Sequence, residues 1–195
     1  MLRINDNIAA IGGEQLQRVI GQLPEWRRDV VMRYKFESGR RESALAFLLL
    51  QEMSGLRDIT FDIGEHGKPS IAGHPELHFN ISHCSNGVAC SVGSVPVGVD
   101  IECTGRYKED LARYTLSDAE LHTLYYMPDG TPRTAEDTDL QFTILWTQKE
   151  ALLKLLGTGI TDDLKSVLMD HEGKVRFHTI VNVEKGYVCT EAMFA

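Results

Sequence analysis

Apolar and polar positions alternate along 97–102, which reads Val-Gly-Val-Asp-Ile-Glu. Because successive side chains of a β-strand point to opposite faces, a strand here would place Asp100 and Glu102 on one face, next to the small Gly98. Two carboxylates in this arrangement can hold Mg²⁺, which takes one or two carboxylates together with waters and substrate phosphates. A lone Asp-x-Glu pair is common, however, and an exposed acidic strand face is the simpler interpretation, so the rest of the chain has to decide.

Strand-like patterns of β-branched and aromatic residues, bounded by turn residues, recur in the middle and at the end of the chain. The predicted strands are 59–63, 77–83, 88–92, 97–102, 175–180 and 187–190. Because 77–83, 88–92 and 97–102 follow one another closely, we predict that they form an antiparallel meander.

Helical spacing of apolar residues, at three- and four-residue steps, marks other parts of the chain. The predicted helices are 14–20, 41–53, 118–125 and 142–156. Ser117 is a suitable N-cap for the third helix, and Gly157 is suited to end the fourth. The segment 127–139 contains Pro, Gly, Asp and Thr, and we predict an exposed loop there.

The last of these helices carries Trp146, Glu150 and Lys154 at four-residue steps, with Lys149 beside them. The simplest interpretation of Glu150 and Lys154 is an ordinary ion pair between neighbouring turns. The alternative is that this carboxylate and this ammonium group serve chemistry on a phosphate.

Six cationic side chains lie within fifteen residues of an otherwise acidic chain. They are Arg27, Arg28, Arg33, Lys35, Arg40 and Arg41. They fit a solvated helix face and a phosphate-binding patch equally well. The second interpretation is reasonable because arginine makes forked bonds to phosphate oxygens. Arg40 and Arg41, at the start of the 41–53 helix, would be well placed for an anion. His83 beside Ser82 is either a packed histidine or a phosphate contact.

The overall charge excludes one class of partner. The chain has 195 residues and a net charge of −8, so a nucleic-acid binder with a broad basic surface is not expected.

The four cysteines show no C-x-x-C spacing and indicate reduced thiols. No apolar run approaches the length of a membrane span, and the first residues have no signal-peptide core. We therefore expect a cytoplasmic protein with no membrane contact.

Three motifs occur in a fixed order and, taken together, are more specific than any one alone. They are Gly67-Lys68-Pro69, then 79–83 running on to 97–102, then 146–151 with Lys154 and Gly157. In this respect the chain resembles the 4′-phosphopantetheinyl transferases, specifically the larger monomeric type related to the surfactin-synthetase activator. The resemblance spans 67–160 firmly, and the arginine-rich segment and the 41–53 helix extend it less specifically.

The resemblance implies a Mg²⁺-dependent transfer of phosphopantetheine from coenzyme A to a serine of an apo acyl or peptidyl carrier protein, with release of 3′,5′-ADP. Carriers of fatty-acid synthesis and of lysine synthesis through aminoadipate are among the expected partners. Two alternatives stay open: a Mg²⁺-dependent hydrolase of nucleotide pyrophosphates, and a carrier-binding module without catalysis.

The resemblance also implies the roles of individual residues. Glu150 and Lys154 would be catalytic, with Glu150 or a metal-bound water as the base. The metal ligands would be Asp100, Glu102, Glu150 and Glu120. The coenzyme A contacts would be Arg40, Arg41, Lys68, Pro69, Ser82, His83, Asp100, Lys149 and Lys154.

The implied fold is α+β, with two similar subdomains related by a pseudo-twofold axis. Each would be a small antiparallel sheet packed on a long helix, the first subdomain spanning 1–100 and the second 101–195. The active site would lie at their junction, and the protein would be a monomer.

Overall fold

Helices and short strands alternate through the computed structural model, which describes residues 1–159 and 163–195. The strands are β1 (Leu2–Asn5), β2 (Phe61–Ile63), β3 (Pro69–Ile71), β4 (His78–Cys84), β5 (Gly87–Gly93), β6 (Val97–Cys103), β7 (Val175–Asn182) and β8 (Tyr187–Phe194). The helices are α1 (Gly13–Gly21), α2 (Glu25–Met32), α3 (Glu37–Ser54), α4 (Glu109–Thr115), α5 (Asp118–Tyr125), α6 (Ala135–Leu156) and α7 (Val167–Asp170). The α+β class is confirmed. None of the described helices is both long and apolar enough to cross a membrane.

The strands form antiparallel sheets in which β6 does not have the predicted neighbour. One sheet has the order β1-β5-β4, a second the order β2-β3, and a third the order β6-β8-β7. The prediction of a β4-β5-β6 meander is therefore wrong. Both edges of β5 are taken by β1 and β4, and β6 pairs along its whole length with β8, from Val97 opposite Met193 to Cys103 opposite Tyr187.

The helix predicted at 41–53 is confirmed as α3, but it begins earlier, at Glu37. Arg40 and Arg41 are therefore in the first turns of α3, three and four residues after its first residue, rather than at its start. The helix ends at Gly55, whose φ of 72° is the left-handed conformation that glycine adopts at low cost.

The predicted 142–156 helix is also confirmed but is longer than expected. α6 begins at Ala135, where Thr134 is the N-cap and its hydroxyl oxygen accepts a hydrogen bond from the Asp137 backbone at 3.1 Å. The second part of the predicted 127–139 loop is thus helical, because a threonine cap with acidic residues behind it stabilises a helix start. Gly157, with φ of 73°, ends α6 as predicted.

The two long helices each cover one three-stranded sheet. Helix α3 packs on β4 and β5, and helix α6 packs on β6 and β8, while β4 and β6 pack against each other in the middle of the molecule. A central apolar cluster joins the two sheets, with members such as Ala89 from β5, Ile101 from β6 and Cys189 from β8. The predicted boundary at Asp100 falls inside β6, a strand that belongs to the sheet of the later residues.

Candidate active site

Three predicted residues from three elements meet in a buried cluster where β4, β6 and α6 come together. The Lys154 ammonium donates to Asp100 Oδ1 at 2.6 Å and to the Ser82 hydroxyl at 3.0 Å. The Ser82 hydroxyl donates to the same Asp100 oxygen at 2.8 Å. Asp100 is only 3% exposed, so these charge-assisted bonds compensate the burial of its carboxylate.

The second oxygen of Asp100 is left without a partner. Oδ2 is buried and has no hydrogen-bond partner among the described residues. Burial and the nearby Asp100 charge raise the pKa of Glu150, and the same two causes raise the pKa of Glu102 to about 7. Arg106, 3.3 Å from Glu102, opposes the second shift only in part. The site thus holds more negative charge than its own cations balance.

These features fit a divalent cation. An unpartnered buried carboxylate oxygen is an available ligand atom, and carboxylates with raised pKa values would be stabilised by added positive charge. Among residues 1–159 and 163–195, no group of three or more His, Cys, Asp or Glu side chains is close enough to hold a metal ion by itself. Mg²⁺ needs fewer protein ligands than that when substrate phosphates complete its shell.

A cavity of about 260 Å³, here called the α6 cavity, opens beside this cluster. Its lining residues are His66, Gly67, Lys68, Pro69, Asn80, Glu150, Leu153, Lys154, Gly157 and Gly159. Glu150 and Lys154, one helical turn apart, therefore present a base and a cation to the same space. The cavity is large enough for part of a nucleotide-sized ligand, not for a whole one.

Lys68 lines this cavity, but its ammonium group is directed at backbone oxygens. It donates to the carbonyls of Lys154, Leu155 and Val97 at 2.6, 3.1 and 3.3 Å. The first two carbonyls belong to the last turn of α6, where a cation is favoured. Burial lowers the pKa of Lys68. The side chain therefore ties the β2–β3 hairpin to the end of α6.

A second cavity of about 380 Å³, here called the α3 cavity, lies next to the first and shares Pro69 and Asn80 with it. Its lining residues are Arg27, Tyr34, Ser43, Ala46, Phe47, Phe61, Ile63, Pro69, Phe79, Asn80, Ile81 and His83. Aromatic rings beside a guanidinium and an imidazole suit a base and a phosphate. Of the predicted coenzyme contacts, His83 and Pro69 reach this cavity.

The predicted pair Arg40 and Arg41 has other partners in the structure. Arg41 donates to the Ile11 carbonyl at 3.0 Å, and Arg40 donates to the Tyr34 carbonyl at 2.9 Å. The Arg41 Nε atom is buried and lacks a hydrogen-bond partner within the described residues. Their predicted contact with coenzyme A stays a prediction.

The structure places the predicted residues Glu120 and Lys149 in contact with each other. Their charged groups lie 2.7 Å apart, and the second oxygen of Glu120 accepts from the Ser117 backbone at 2.7 Å in the capping box of α5. Lys149 also donates to the Leu164 carbonyl at 2.7 Å. Both oxygens of Glu120 are thus held by protein donors, and its role as a metal ligand stays a prediction.

Comparison with known proteins identifies the family of this chain. The model of the 4′-phosphopantetheinyl transferase superfamily matches residues 96–192. The chain is 30% identical over 173 residues to the 4′-phosphopantetheinyl transferase Sfp of Bacillus subtilis (strain 168), an alignment that covers 83% of this chain and 73% of the relative. The chain belongs to the 4′-phosphopantetheinyl transferase superfamily. The prediction of a phosphopantetheinyl transferase enzyme is confirmed.

Two further relatives of this phosphopantetheinyl transferase match over shorter stretches. A 4′-phosphopantetheinyl transferase of Bacillus subtilis is 38% identical over 109 residues, covering 55% of this chain and 46% of the relative. The 4′-phosphopantetheinyl transferase psf-1 of Bacillus pumilus is 33% identical over 146 residues, covering 72% of this chain and 60% of the relative. These two alignments thus span about half the length of the relatives.

Sequence reasoning missed two residues in the cavities of this transferase. Asn80 lines both cavities, and its side-chain oxygen accepts from the Val99 backbone at 2.8 Å, which joins β4 to β6. Arg27 lies 5.2 Å above the Phe47 ring and donates to the Ser43 carbonyl and hydroxyl at 2.9 and 2.8 Å. Asn80 belongs to the 79–83 motif, and that motif is the sequence signal that could have identified it. Nothing in the spacing of the arginines distinguishes Arg27.

Proposed function

We propose that this transferase moves the 4′-phosphopantetheine group of coenzyme A to a serine of an apo carrier protein, with Mg²⁺ bound and 3′,5′-ADP released. The buried cluster of Ser82, Asp100 and Lys154, beside a cavity that Glu150 also lines, supports the proposal most directly. It combines a cation for phosphate oxygens, a carboxylate with a free oxygen for a metal, and a base.

The residues of the cluster would divide the chemistry among them. Asp100 would hold Mg²⁺ through its unpartnered oxygen together with phosphates of the coenzyme, and the predicted ligands Glu102 and Glu150 would approach the ion on binding. The ion would neutralise charge on the pyrophosphate. Lys154 would bind a phosphate oxygen with the donor that faces the α6 cavity. Glu150, which lines the α6 cavity, or a metal-bound water would accept the proton of the carrier serine.

The α3 cavity would hold the nucleotide end of coenzyme A. Its aromatic wall, with Phe47 among its members, suits the adenine ring, while Arg27 and His83 would face the 3′-phosphate. Pro69, which lines both cavities, would mark the passage toward the pyrophosphate. Ser82 would act through Lys154, and Arg40 and Arg41 would contribute positive charge near the α3 cavity.

Intact-mass measurement of apo carriers tests the proposal. Apo carriers of fatty-acid, polyketide, peptide and aminoadipate pathways are incubated with enzyme, coenzyme A and Mg²⁺. We expect at least one carrier to gain the mass of one phosphopantetheine group. Lys154→Met should abolish the gain, and Lys165→Met, at an exposed lysine, should not. No gain with any carrier class would contradict the proposal.

The same incubation separates the transferase from the alternatives. Release of 3′,5′-ADP that requires the apo carrier supports transfer, whereas release without carrier would indicate a pyrophosphate hydrolase. Binding of a carrier with no release in either case would indicate a module without catalysis. The pairing of Lys154 with Asp100 at 2.6 Å beside a cavity favours catalysis over simple binding.

The molecular organisation implied by the family is part of the proposal. Each half would be one repeat of a pseudo-twofold arrangement, supported by the two three-stranded antiparallel sheets that each pack on one long helix. Because β6 pairs along its whole length with β8, we would move the boundary between the 1–100 and 101–195 subdomains to just before Val97. A monomer and a cytoplasmic location stay predictions.

A further inference from the structure

Lys149 is a buried ammonium group on the helix that carries Glu150 and Lys154. Its side chain is 1% exposed, and two oxygens lie 2.7 Å from Nζ, one from Glu120 and one from the Leu164 carbonyl. A lysine is buried to this extent only when its charge is paired, because removing an unpaired ammonium group from water is costly. These two contacts therefore define where Lys149 must lie.

Glu120 is itself held in place in the first turn of α5. One of its oxygens accepts from the Ser117 backbone at 2.7 Å, while the Ser117 hydroxyl accepts from the Glu120 backbone at 3.3 Å. This capping box fixes the carboxylate at the N-terminus of α5, where a negative charge is favoured. The ion pair therefore joins α6 to a rigid point on α5.

The position of Lys149 along α6 gives this contact a consequence for the site. Neighbouring residues of an α-helix are separated by about 100° around the axis, so Lys149 and Glu150 point to different sides. Lys154, held by Asp100 and Ser82, anchors the side of α6 that faces β6. Lys149 anchors another side, and two such anchors together prevent rotation of the helix about its axis.

The contact with Leu164 extends this anchoring to the chain that follows α6. Leu164 is buried and packs in an apolar cluster with Leu152 of the helix. Gly157 and Gly159, a few residues earlier, line the α6 cavity. A bond from Lys149 to the Leu164 carbonyl thus holds this later segment against the same helix that carries the base.

We propose that Lys149, paired with Glu120, is a positioning residue that fixes the rotation of α6 and so directs Glu150 toward Asp100. This inference rests on the proposed transfer reaction and assigns Glu120 and Lys149 to structure around the site rather than to the metal or the coenzyme. It predicts that loss of the pair lowers kcat, because a displacement of a catalytic group by about 1 Å can cost about a hundredfold in rate.

A double-mutant cycle tests the proposal. We expect Lys149→Met and Glu120→Gln each to lower kcat by about tenfold or more, with the KM for coenzyme A and the Mg²⁺ concentration for half-maximal rate changed by less than about twofold. The double variant should be no slower than the slower single variant, because both changes remove one interaction. Lys149→Arg should keep most of the rate, and Lys165→Met is the control.

Each competing assignment gives a different result. If Lys149 contacts coenzyme A, Lys149→Met will raise the KM for coenzyme A and leave kcat nearly unchanged. If Glu120 ligates the metal, Glu120→Gln will raise the Mg²⁺ requirement, and Lys149→Met will not. If the pair is merely structural, the cycle will show coupling in thermal unfolding, while kcat of the folded variants stays native. Any of these results would overturn the proposal.

Two measurements keep the test decisive. Should Lys149→Met fail to fold because Glu120 is left buried without a partner, the double variant and Lys149→Arg report kcat in its place. A native rate in the double variant would then contradict a positioning role. Should the native enzyme modify no carrier, the proposed function itself fails, and coupling in unfolding of the metal-free variants still reports whether the buried pair exists.

Discussion

The carboxylates of the site differ in how well the protein supplies positive charge to them. Asp100 has Lys154 at 2.6 Å, whereas burial and the Asp100 charge raise the pKa values of Glu102 and Glu150. Without a bound cation, the raised pKa values of these two glutamates therefore favour their protonated forms. This imbalance is what a site for a divalent cation requires, and it has measurable consequences for single residues.

Glu150→Gln separates the catalytic role of this carboxylate from a structural one. The amide keeps the shape but removes charge and basicity, so we expect carrier modification at least about a hundredfold slower. Because the pKa of Glu150 is raised in the folded protein, its charge opposes folding near neutral pH, and the variant should melt at or above the native temperature. Near-native turnover at saturating Mg²⁺ would show that Glu150 has no catalytic role and is an ordinary surface residue of α6.

The raised pKa of Glu102 predicts how the stability of the metal-free protein depends on pH. Its pKa is about 7 in the folded protein against 4.5 for the ordinary group, so the folded state binds this proton more tightly. The resulting stabilisation is complete below about pH 4.5 and is lost as the pH rises through about 7. In metal-free protein, the free energy of unfolding should therefore fall between these values, and this fall should be smaller in Glu102→Gln.

Urea unfolding in the presence of a chelator, at pH 5, 6, 7 and 8, measures this difference. Glu65→Gln, at an exposed turn position, is the control and should follow the native curve. Parallel curves for the native protein and Glu102→Gln would show that Glu102 titrates normally in the folded state.

At the scale of elements, the site depends on the close approach of β6 to α6. A Cβ atom added to Gly98 would lie 2.0 Å from the Ala151 carbonyl oxygen and 2.4 Å from the Leu155 nitrogen, both backbone atoms of α6. Only glycine permits this contact. Asp100, on the same strand, therefore reaches Lys154 of α6 because of a residue that has no side chain.

Gly98→Ala should consequently separate the strand from the helix. We expect the free energy of unfolding to fall by at least about 1–3 kcal/mol, the usual cost of overpacking, and carrier modification to fall with it. Gly21→Ala is the control, because a Cβ atom there would meet nothing within 4 Å. Thermal melts of both variants measure the effect, and a native melting temperature for Gly98→Ala would contradict the close contact.

The elements also show what local sequence could and could not predict. The caps at Ser117 and Gly157 and the strand at 97–102 follow from short patterns, and the structure confirms them. The partner of β6 lies some ninety residues later in the chain, so no local signal identified β8, and proximity favoured the wrong strand. The early start of α6 depends on one threonine cap inside a segment whose composition indicates a loop.

At the scale of the whole molecule, the site exists only where the two sheets meet. Ser82 comes from β4, Asp100 from β6 and Lys154 from α6, and β4 also contributes Phe79 and Ile81 to the wall of the α3 cavity. The ordered motifs predicted that Ser82, Asp100 and Lys154 act together, because the second motif contains Ser82 and Asp100 and the third contains Lys154. The carbonyl partners of Lys68 and the Leu164 carbonyl that Lys149 binds were not predictable, because backbone carbonyls carry no sequence signature.

Lys68 is the clearest connection between the earlier and later halves, and its removal should affect both stability and coenzyme binding. In Lys68→Met the three carbonyls at Val97, Lys154 and Leu155 lose their donor. Hydrogen bonds to a charged group contribute roughly 1.5–3 kcal/mol, and we expect a loss of unfolding free energy of this order. The KM for coenzyme A should rise more than kcat falls, because the hairpin beside the α6 cavity is loosened.

Dephospho-coenzyme A distinguishes this connecting role from direct contact with the 3′-phosphate. If Lys68 acts on the protein backbone, Lys68→Met should raise the KM values for coenzyme A and for dephospho-coenzyme A by the same factor. His83→Ala, at the edge of the α3 cavity, should instead raise only the KM for coenzyme A and bring the two values closer. Should Lys68→Met also erase the difference between the two substrates, its ammonium group must leave the α6 carbonyls and bind the 3′-phosphate when coenzyme A enters.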